Sequence, residues 1–191
     1  TRDGRAIVAN DMHLGLRTPG IFYRARLQME GPKTIDVNGV TLPGTPVMVA
    51  GSNGKVAWGF TNSYGDWSDA VIVRPGRTSG RYLTPDGELP FQTYRERINV
   101  LGGRSEEIIV RETIWGPVRE DLVHPDGEIA VSWTAHTPRA VNIEQLGLET
   151  ASSVDEALRV ANRTGIPPQN FMTGDADGNI VVRDAGGNEL T

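Results

Sequence analysis

Five Asn-Gly and Asp-Gly pairs, spaced along the chain between short apolar runs, constrain the fold more than any other feature. The pairs are Asn38-Gly39, Asn53-Gly54, Asp86-Gly87, Asp126-Gly127 and Asp177-Gly178. Such pairs tolerate the positive φ angles that tight hairpin turns require. We therefore predict a succession of antiparallel hairpins.

The apolar runs are rich in Val, Ile, Tyr, Phe and Trp, and several alternate with polar residues. Tyr23, Ala25 and Leu27, for example, alternate with arginine and glutamine side chains, which is the period of a half-buried strand. The strands predicted in this way cover residues 5–10, 21–28, 34–42, 46–50, 55–61, 70–74, 91–100, 107–114, 128–134 and 179–183.

One segment has the pattern of a helix. Ser153-Val-Asp-Glu156 is a capping box, and the apolar residues that follow recur at helical spacing, which predicts a helix over 154–163. Together these elements indicate a single α+β domain over 1–191, predominantly antiparallel β. The opening Thr1-Arg2-Asp3-Gly4 has the pattern of a β-turn that feeds the strand over 5–10, so we expect a partner strand before residue 1.

Composition and charge exclude several classes of function. The formal net charge is −5 and no basic run occurs, which argues against a nucleic-acid partner. No apolar stretch approaches the ~20 residues needed to span a bilayer. The chain has no cysteine, which excludes a disulfide framework, a thiolate metal site and a cysteine nucleophile.

Two polar residues are candidates for chemistry. His13 follows Asn10-Asp11-Met12 at the end of an apolar run and could act in proton transfer, although a structural histidine has the same pattern. Asn170 follows Pro167-Pro168-Gln169, a stiff approach that would fix its amide as a donor to a developing oxyanion. The alternative for Asn170 is a polar turn residue.

Three short segments are candidates for ion binding. Asp66-Trp67-Ser68-Asp69 could surround a hard cation such as Ca²⁺ with carboxylate and carbonyl oxygens, or could be a capped turn. Asp175-Ala-Asp177-Gly-Asn179 begins like a calcium loop but lacks the closing glutamate, so a hairpin turn is favoured. Gly51-Ser-Asn-Gly54 lacks the Lys-Ser/Thr of a phosphate loop and is also predicted to be a turn.

Read together, these stretches resemble the front part of the β subunit of the penicillin acylase family, which includes acyl-homoserine-lactone and cephalosporin acylases. The resemblance covers nearly the whole chain and rests on six motifs in the family's order. They are Val-Ala-Asn-Asp-Met-His-Leu-Gly-Leu at 8–16, Pro-Gly-Ile-Phe-Tyr at 19–23, Val-Thr-Leu-Pro-Gly-Thr-Pro at 40–46, Gly-Ser-Asn-Gly-Lys-Val-Ala-Trp-Gly-Phe-Thr at 51–61, Trp-Gly-Pro at 115–117, and Pro-Gln-Asn-Phe at 168–171 leading to Asp-Ala-Asp-Gly-Asn-Ile at 175–180.

The resemblance implies an αββα N-terminal-nucleophile hydrolase. In that family a serine exposed by autoproteolysis attacks the amide, and its own α-amino group, with a pKa near 8, acts as the base. The match implies that this serine lies roughly ten residues before Thr1. Thr1 itself falls in the turn after the nucleophile strand, so we do not expect it to be the nucleophile.

The resemblance also assigns roles to residues of this chain. His13 matches the residue beside the serine, Asn62 the position whose backbone N–H forms half of the oxyanion hole, and Asn170 the side-chain half. The positions of the acyl pocket match Leu14, Ala50 and Phe60. The calcium ligands match Asp66, Ser68 through its carbonyl, and Asp69, with further ligands from elsewhere, including the α subunit.

The function implied is hydrolysis of a penicillin-like or N-acyl-homoserine-lactone-like amide, without an organic cofactor. The expected partners are the α subunit and the remainder of the β subunit, and the expected location is periplasmic or secreted. The chain alone is expected to be inactive, because the serine is absent from it. The alternative is a non-catalytic β-rich binding module that retains the acylase scaffold. Departures from the family's sequence pattern, such as Asn62 and Trp115, are compatible with this alternative.

Overall fold

The computed structural model describes residues 1–15, 17–138 and 140–185, and within them the chain is mostly antiparallel strand. This confirms the α+β class with predominantly antiparallel β structure. In chain order the strands are β1 (Tyr23–Met29), β2 (Ile35–Thr41), β3 (Ala50–Ser52), β4 (Val56–Asn62), β5 (Ser68–Val73), β6 (Arg81–Thr84), β7 (Gly87–Pro90), β8 (Gln92–Ile98), β9 (Glu106–Thr113), β10 (Gly116–His124), β11 (Gly127–Trp133), β12 (Gln169–Asp175) and β13 (Ile180–Ala185).

These elements form two compact units. The first consists of Thr1–Gly65 and the described residues from Pro138 onward, and the second of Asp66–Thr137. The expectation of a single domain over 1–191 stays a prediction.

The first unit is built on a six-stranded antiparallel sheet with the order β1-β2-β3-β4-β12-β13. Because side chains alternate between the faces of a strand, Val56, Trp58 and Phe60 of β4 share one face with their β12 partners Asp175, Thr173 and Phe171. Helix α1 (Val154–Ala161) and the 3₁₀ helix Glu144–Glu149 pack on this face. The buried core between them is formed by Val37, Met48, Val56, Trp58, Leu148, Ala151, Ala157, Val160, Ala161 and Phe171.

Helix α1 begins as predicted. The Ser153 hydroxyl accepts a hydrogen bond from the Glu156 N–H at 3.3 Å. The Glu156 carboxylate accepts hydrogen bonds from the N–H and the hydroxyl of Ser152, both at 2.7 Å. In a standard capping box the carboxylate would accept from the N–H of the N-cap residue itself, here Ser153. The helix ends at Ala161 rather than at 163, and beyond its end the Thr164 hydroxyl and N–H donate to the Val160 carbonyl at 3.0 and 3.1 Å.

The second unit contains a five-stranded antiparallel sheet, β5-β11-β10-β9-β8, and the hairpin β6-β7. Its core is small and aromatic, since the buried Tyr82 ring lies 4.9 Å from the Phe91 ring and 5.8 Å from the Trp115 ring. The Tyr82 hydroxyl accepts a hydrogen bond from the Ile114 N–H at 2.9 Å. Trp115 of the Trp-Gly-Pro motif is therefore a member of this aromatic cluster.

Four of the five predicted turn pairs connect consecutive strands, at 53–54, 86–87, 126–127 and 177–178. The turn predicted at Asn38-Gly39 is wrong, because both residues lie in the middle of β2. Gly39 is needed there for another reason. A Cβ atom on it would lie 2.1 Å from the Ala50 carbonyl oxygen of the neighbouring strand.

The strand predicted over 5–10 is also wrong. The Ala6 N–H donates to the Asp175 carbonyl at 3.2 Å, but the segment forms no strand ladder. Of the strand predicted over 46–50, only Ala50 belongs to β3, and Gly51 and Ser52 of the predicted turn are strand residues. Four strands were not predicted: β6, β7, β10 and β12.

Candidate functional site

The face of the six-stranded sheet opposite α1 is lined by glycines where the N-terminal segment crosses it. A Cβ atom on Gly174 would lie 2.7 Å from the Ala6 Cβ, and one on Gly178 would lie 2.6 Å from the Gly4 carbonyl oxygen. A Cβ on Gly59 would lie 3.0 Å from the Asn10 side chain. The absence of side chains at these glycines allows residues 4–10 to lie directly on β4 and β12.

Asn10 binds β4 at the end of this segment. Its Nδ2 donates to the Phe60 carbonyl at 2.8 Å, and its Oδ1 accepts from the Phe60 N–H at 3.3 Å. One half-buried side chain therefore satisfies both backbone groups of Phe60. The chain continues from Asn10 to His13 without regular secondary structure.

Asn62 and Asn170 meet where β4 ends and β12 begins. In the register, Asn170 pairs with Thr61 and Gln169 with Asn62. The Asn170 Nδ2 donates to the Asn62 carbonyl at 3.0 Å and to the Thr61 Oγ1 at 3.1 Å. The Gln169 Nε2 donates to the Asn62 Oδ1 at 3.2 Å. The structure thus brings together two of the residues singled out in the sequence.

Asn170 lies on the glycine-lined face. Because Thr61 and Asn170 are directly opposed, their side chains share a face with Gly59 and Gly174, and not with the core residues Trp58 and Phe171. The Asn170 amide is half-buried, and Thr61 and Asn62 are exposed. A reacting carbonyl could therefore approach this amide from the side on which residues 4–10 lie.

His13 is placed on an exposed part of the N-terminal segment. Its Nε2 lies 3.5 Å from an Asp11 carboxylate oxygen, and 83% of the His13 side chain is exposed. This contact is to a neighbour in sequence and not to β4 or β12. The role assigned to His13 by resemblance stays a prediction.

The three residues expected to line an acyl pocket are not gathered in one cavity. Leu14 is 47% exposed beside His13. Ala50 is buried, and its position in the register of β3 places it on the same face as Gly59. Phe60 points to the opposite face, where its ring lies 5.2 Å from the Phe171 ring.

The residues expected to bind calcium belong to the second unit. Asp66, Ser68 and Asp69 are all exposed, and β5 begins at Ser68. Calcium takes six to eight oxygen ligands, so two carboxylates and one carbonyl are the right kind of donor but too few. In the part of the chain that the structure describes, three or more His, Asp or Glu side chains nowhere converge on a possible metal position.

Two residues near the site were missed from the sequence. Thr61, which contacts the Asn170 amide, directly precedes Asn62, but a threonine in a predicted strand carries no signal of its own. Asn10 stands in the same motif as His13, and the unusual position of an asparagine at the end of an apolar run was the available signal.

A family model described as penicillin amidase matches residues 1–188 of the chain. Among individual proteins, the acyl-homoserine lactone acylase QuiP of Pseudomonas aeruginosa is 35% identical over 120 residues, which are 62% of this chain and 14% of that protein. QuiP of Pseudomonas syringae pv. syringae is 29% identical over 184 residues, 92% of this chain and 22% of that protein. Penicillin G acylase of Escherichia coli is 30% identical over 118 residues, 61% of this chain and 14% of that protein.

A solved structure has the same fold. The thermostable penicillin G acylase from Alcaligenes faecalis matches with a TM-score of 0.76 at 23% identity, over 90% of this chain and 31% of that chain. This chain spans between 14% and 22% of the length of the curated relatives named above. Within the described residues, no helix has the length and apolar character needed to cross a membrane.

Proposed function

Because this chain belongs to the penicillin amidase family, we propose that it supplies the oxyanion-binding part of an enzyme that hydrolyses linear amide bonds. The observation that carries the proposal is the contact between the Asn170 amide and the Asn62 carbonyl at 3.0 Å. This contact brings two residues from distant parts of the sequence together at one end of the β4-β12 pair, where we propose that Asn170 supplies a side-chain donor and Asn62 a backbone donor.

The proposed reaction has two halves. A serine outside these 191 residues attacks the substrate carbonyl, and its proton passes to its own α-amino group. The C–N bond then breaks, the proton goes to the departing amine, and an acyl ester remains on the serine. Water hydrolyses that ester and releases the carboxylic acid. In both halves a negative charge develops on the carbonyl oxygen and needs fixed donors.

Asn170 is suited to this task because its two N–H groups have different partners. The bond to the Asn62 carbonyl holds the amide in place, and the second N–H donates to the exposed Thr61 hydroxyl. An oxyanion is a stronger acceptor than a hydroxyl group. We propose that this second N–H transfers from Thr61 to the oxyanion, with the Asn62 N–H as the other donor.

The names of two relatives support the substrate class that we propose. QuiP is named an acyl-homoserine lactone acylase and the E. coli protein a penicillin G acylase. We therefore propose an N-acyl amide whose acyl group lies on the glycine-lined face near Leu14 and Ala50, and a supporting role for His13 at the serine amino group. The Phe60 ring packs on the opposite face against Phe171, so we propose no direct contact of Phe60 with the acyl group. The partners proposed are the α subunit and the remainder of the β subunit, in an exported protein.

Calcium is proposed only as a structural ion. Asp66, the Ser68 carbonyl and Asp69 would supply part of its ligands, and residues outside this chain the rest. Because an ion that binds only the folded state stabilises that state, removal of calcium from the full-length protein should lower its thermal midpoint. Substitution of Asp66 and Asp69 by Asn should abolish that dependence.

The test of the catalytic proposal uses the full-length protein that contains this chain, assayed with N-acyl-homoserine lactones and penicillin G. The Asn170→Ala variant should lose about 100-fold to 1000-fold in kcat/KM, the usual effect of removing one oxyanion donor. Asn38→Ala is the matched control, because Asn38 also makes one side-chain bond to the backbone, to the Ser52 carbonyl at 3.3 Å, in the same sheet. Its kcat/KM should not change.

Two results would contradict the proposal. Equal activity of the Asn170→Ala and Asn38→Ala variants would remove Asn170 from the oxyanion site. Absence of amide hydrolysis by the processed full-length protein, together with binding of the same substrates, would favour the non-catalytic binding module.

A further inference from the structure

We propose that Asn10 is a positioning residue that fixes β4, and with it the oxyanion donor at Asn62, relative to the segment that carries His13. The inference rests on the proposed function. Asn10 does not contact the expected reacting atoms. It acts through the backbone of Phe60, two residues before Asn62 and directly opposite Phe171, which follows Asn170.

The Asn10 side chain occupies the place of a missing strand. The register of β3 with β4 includes Gly51 with Trp58 and Ser52 with Ala57, and ends at Trp58. Phe60 is the next residue of β4 whose backbone groups point to that side, and in the described residues it has no strand partner there. The Asn10 amide supplies both an acceptor, at 3.3 Å, and a donor, at 2.8 Å, as a neighbouring strand would.

Asparagine is well matched to this position. A carboxamide presents a donor and an acceptor side by side, the same pattern as a backbone peptide group. Aspartate would keep the acceptor and lose the donor, and alanine would lose both. With the N–H and C=O of Phe60 unpaired, the end of β4 would be held on the β12 side alone.

Gly59 makes the contact possible. Asn10 Cβ and Cγ would both lie 3.1 Å from a Cβ atom at position 59. A side chain there would force Asn10 to shift by a few tenths of an ångström and so would weaken its bonds to Phe60. Asn10 and Gly59 are therefore expected to act as a pair, and the Gly59→Ala variant should change exchange and activity in the same direction as Asn10→Ala, by a smaller factor.

The first test measures hydrogen exchange in the full-length protein. Asn10→Ala should raise the exchange rate of the Phe60 amide by about tenfold or more, because its acceptor is lost. The matched control is Asn53→Ala. Asn53 is also an asparagine that binds β4, but at its other end, where its Oδ1 accepts from the Val56 N–H at 2.9 Å. The control should raise exchange at Val56 and leave Phe60 unchanged.

The second test measures catalysis. Asn10→Ala should lower kcat by about tenfold or more while KM changes by less than about threefold, as expected for a displaced transition-state donor. The affinity for a boronic acid that mimics the tetrahedral intermediate should fall in parallel. Asn53→Ala, which also loses bonds to the Leu148 and Ala151 carbonyls, should lower the thermal midpoint without changing kcat or the boronic acid affinity.

The outcomes separate this inference from the proposed function. Unchanged exchange at Phe60 in Asn10→Ala, or a loss of kcat no greater than in Asn53→Ala, would overturn the inference while the reaction stands. A wild-type protein that hydrolyses no amide would overturn the proposed function. The exchange result would then still decide whether Asn10 fixes β4.

Discussion

The carboxylate of Asp175 joins three parts of the first unit. It accepts hydrogen bonds from the Asp177 and Asn179 N–H groups at 3.1 and 2.9 Å, from the Asn179 side chain at 3.0 Å and from the Val154 N–H at 3.4 Å. Its backbone carbonyl accepts from the Ala6 N–H. The residue thus links the β12-β13 turn, the start of α1 and the N-terminal segment, although the sequence indicated only a turn.

Replacement of Asp175 should destabilise the protein. Asp175 is buried, with 6% of the residue exposed, so in Asp175→Ala the groups that donate to its carboxylate would be left without an acceptor. We expect a loss of about 2–3 kcal/mol, typical of hydrogen bonds to a buried charged group. Asp177→Ala is the control, since Asp177 is an exposed carboxylate in the same turn. Urea denaturation of both variants measures the difference, and equal stabilities would contradict the role given to Asp175.

Acid should remove the contribution of Asp175. Hydrogen bonds from Asn179, followed by those of the backbone N–H groups, hold the pKa of this carboxyl below its ordinary value of 3.8. As the pH falls, the unfolded state therefore takes up the proton before the folded state does. The stabilisation that the Asp175 carboxylate provides is complete above pH 3.8 and is lost as the pH falls through the folded-state pKa. The difference in unfolding free energy between wild type and Asp175→Asn should shrink from neutral pH to about pH 2. A constant difference would contradict this account.

At the scale of elements, the N-terminal segment restricts which residues can occupy the β12-β13 turn. Gly54 and Gly178 both have left-handed φ angles, of +83° and +89°, at the tips of hairpins. A Cβ on Gly54 would meet no atom within 4 Å, whereas one on Gly178 would lie 2.6 Å from the Gly4 carbonyl. The two turns therefore differ mainly in the close approach of the N-terminal segment.

Alanine substitutions at Gly54 and Gly178 separate the cost of backbone strain from the cost of displacing the N-terminal segment. Gly54→Ala should cost about 1 kcal/mol, the strain of a left-handed alanine. Gly178→Ala should cost at least about twice as much, because the N-terminal segment must also move. Thermal denaturation of the two variants provides the comparison. Equal losses would show that residues 4–10 do not depend on the glycine-lined face.

The elements that could be predicted from the sequence are those with local signals. Helix α1 was predicted from its capping box, and four hairpin turns from their Asn-Gly and Asp-Gly pairs. Strand β12 was missed because Gln169, Asn170 and Gly174 weaken the strand pattern, and its place beside β4 is fixed by tertiary pairing. Residues 5–10 have a strand pattern but lie on the face of a sheet. The local sequence cannot distinguish a segment that packs on the face of a sheet from a strand that pairs at its edge.

At the scale of the whole molecule, the sequence identified the family, while the roles assigned to the site residues stay predictions. The resemblance is confirmed by the penicillin amidase match over 1–188. Asn62 and Asn170 were predicted together and lie in contact. The contributions of Asn10 and Thr61 could not be predicted, because they depend on which residues the register of β4 and β12 brings side by side.

The 191-residue chain by itself should not hydrolyse amides. The reaction proposed above uses a serine outside these residues, so the proposed donors Asn62 and Asn170 would have no attacking group to assist. The purified chain and the full-length protein can be compared with a p-nitroanilide substrate. Turnover by the chain alone would show that a residue within it, such as Thr1, serves as nucleophile.

The pairing of β4 with β12 also has a consequence for synthesis on the ribosome. Asn62 and Asn170 are 108 residues apart, and at about 5–20 residues per second the second follows the first by roughly 5–20 s. Throughout that interval the nascent chain carries a strand edge without its neighbour, where other chains can pair. Asn62 and Asn170 therefore come together late in translation, and until they do the exposed edge of β4 is open to pairing with other chains.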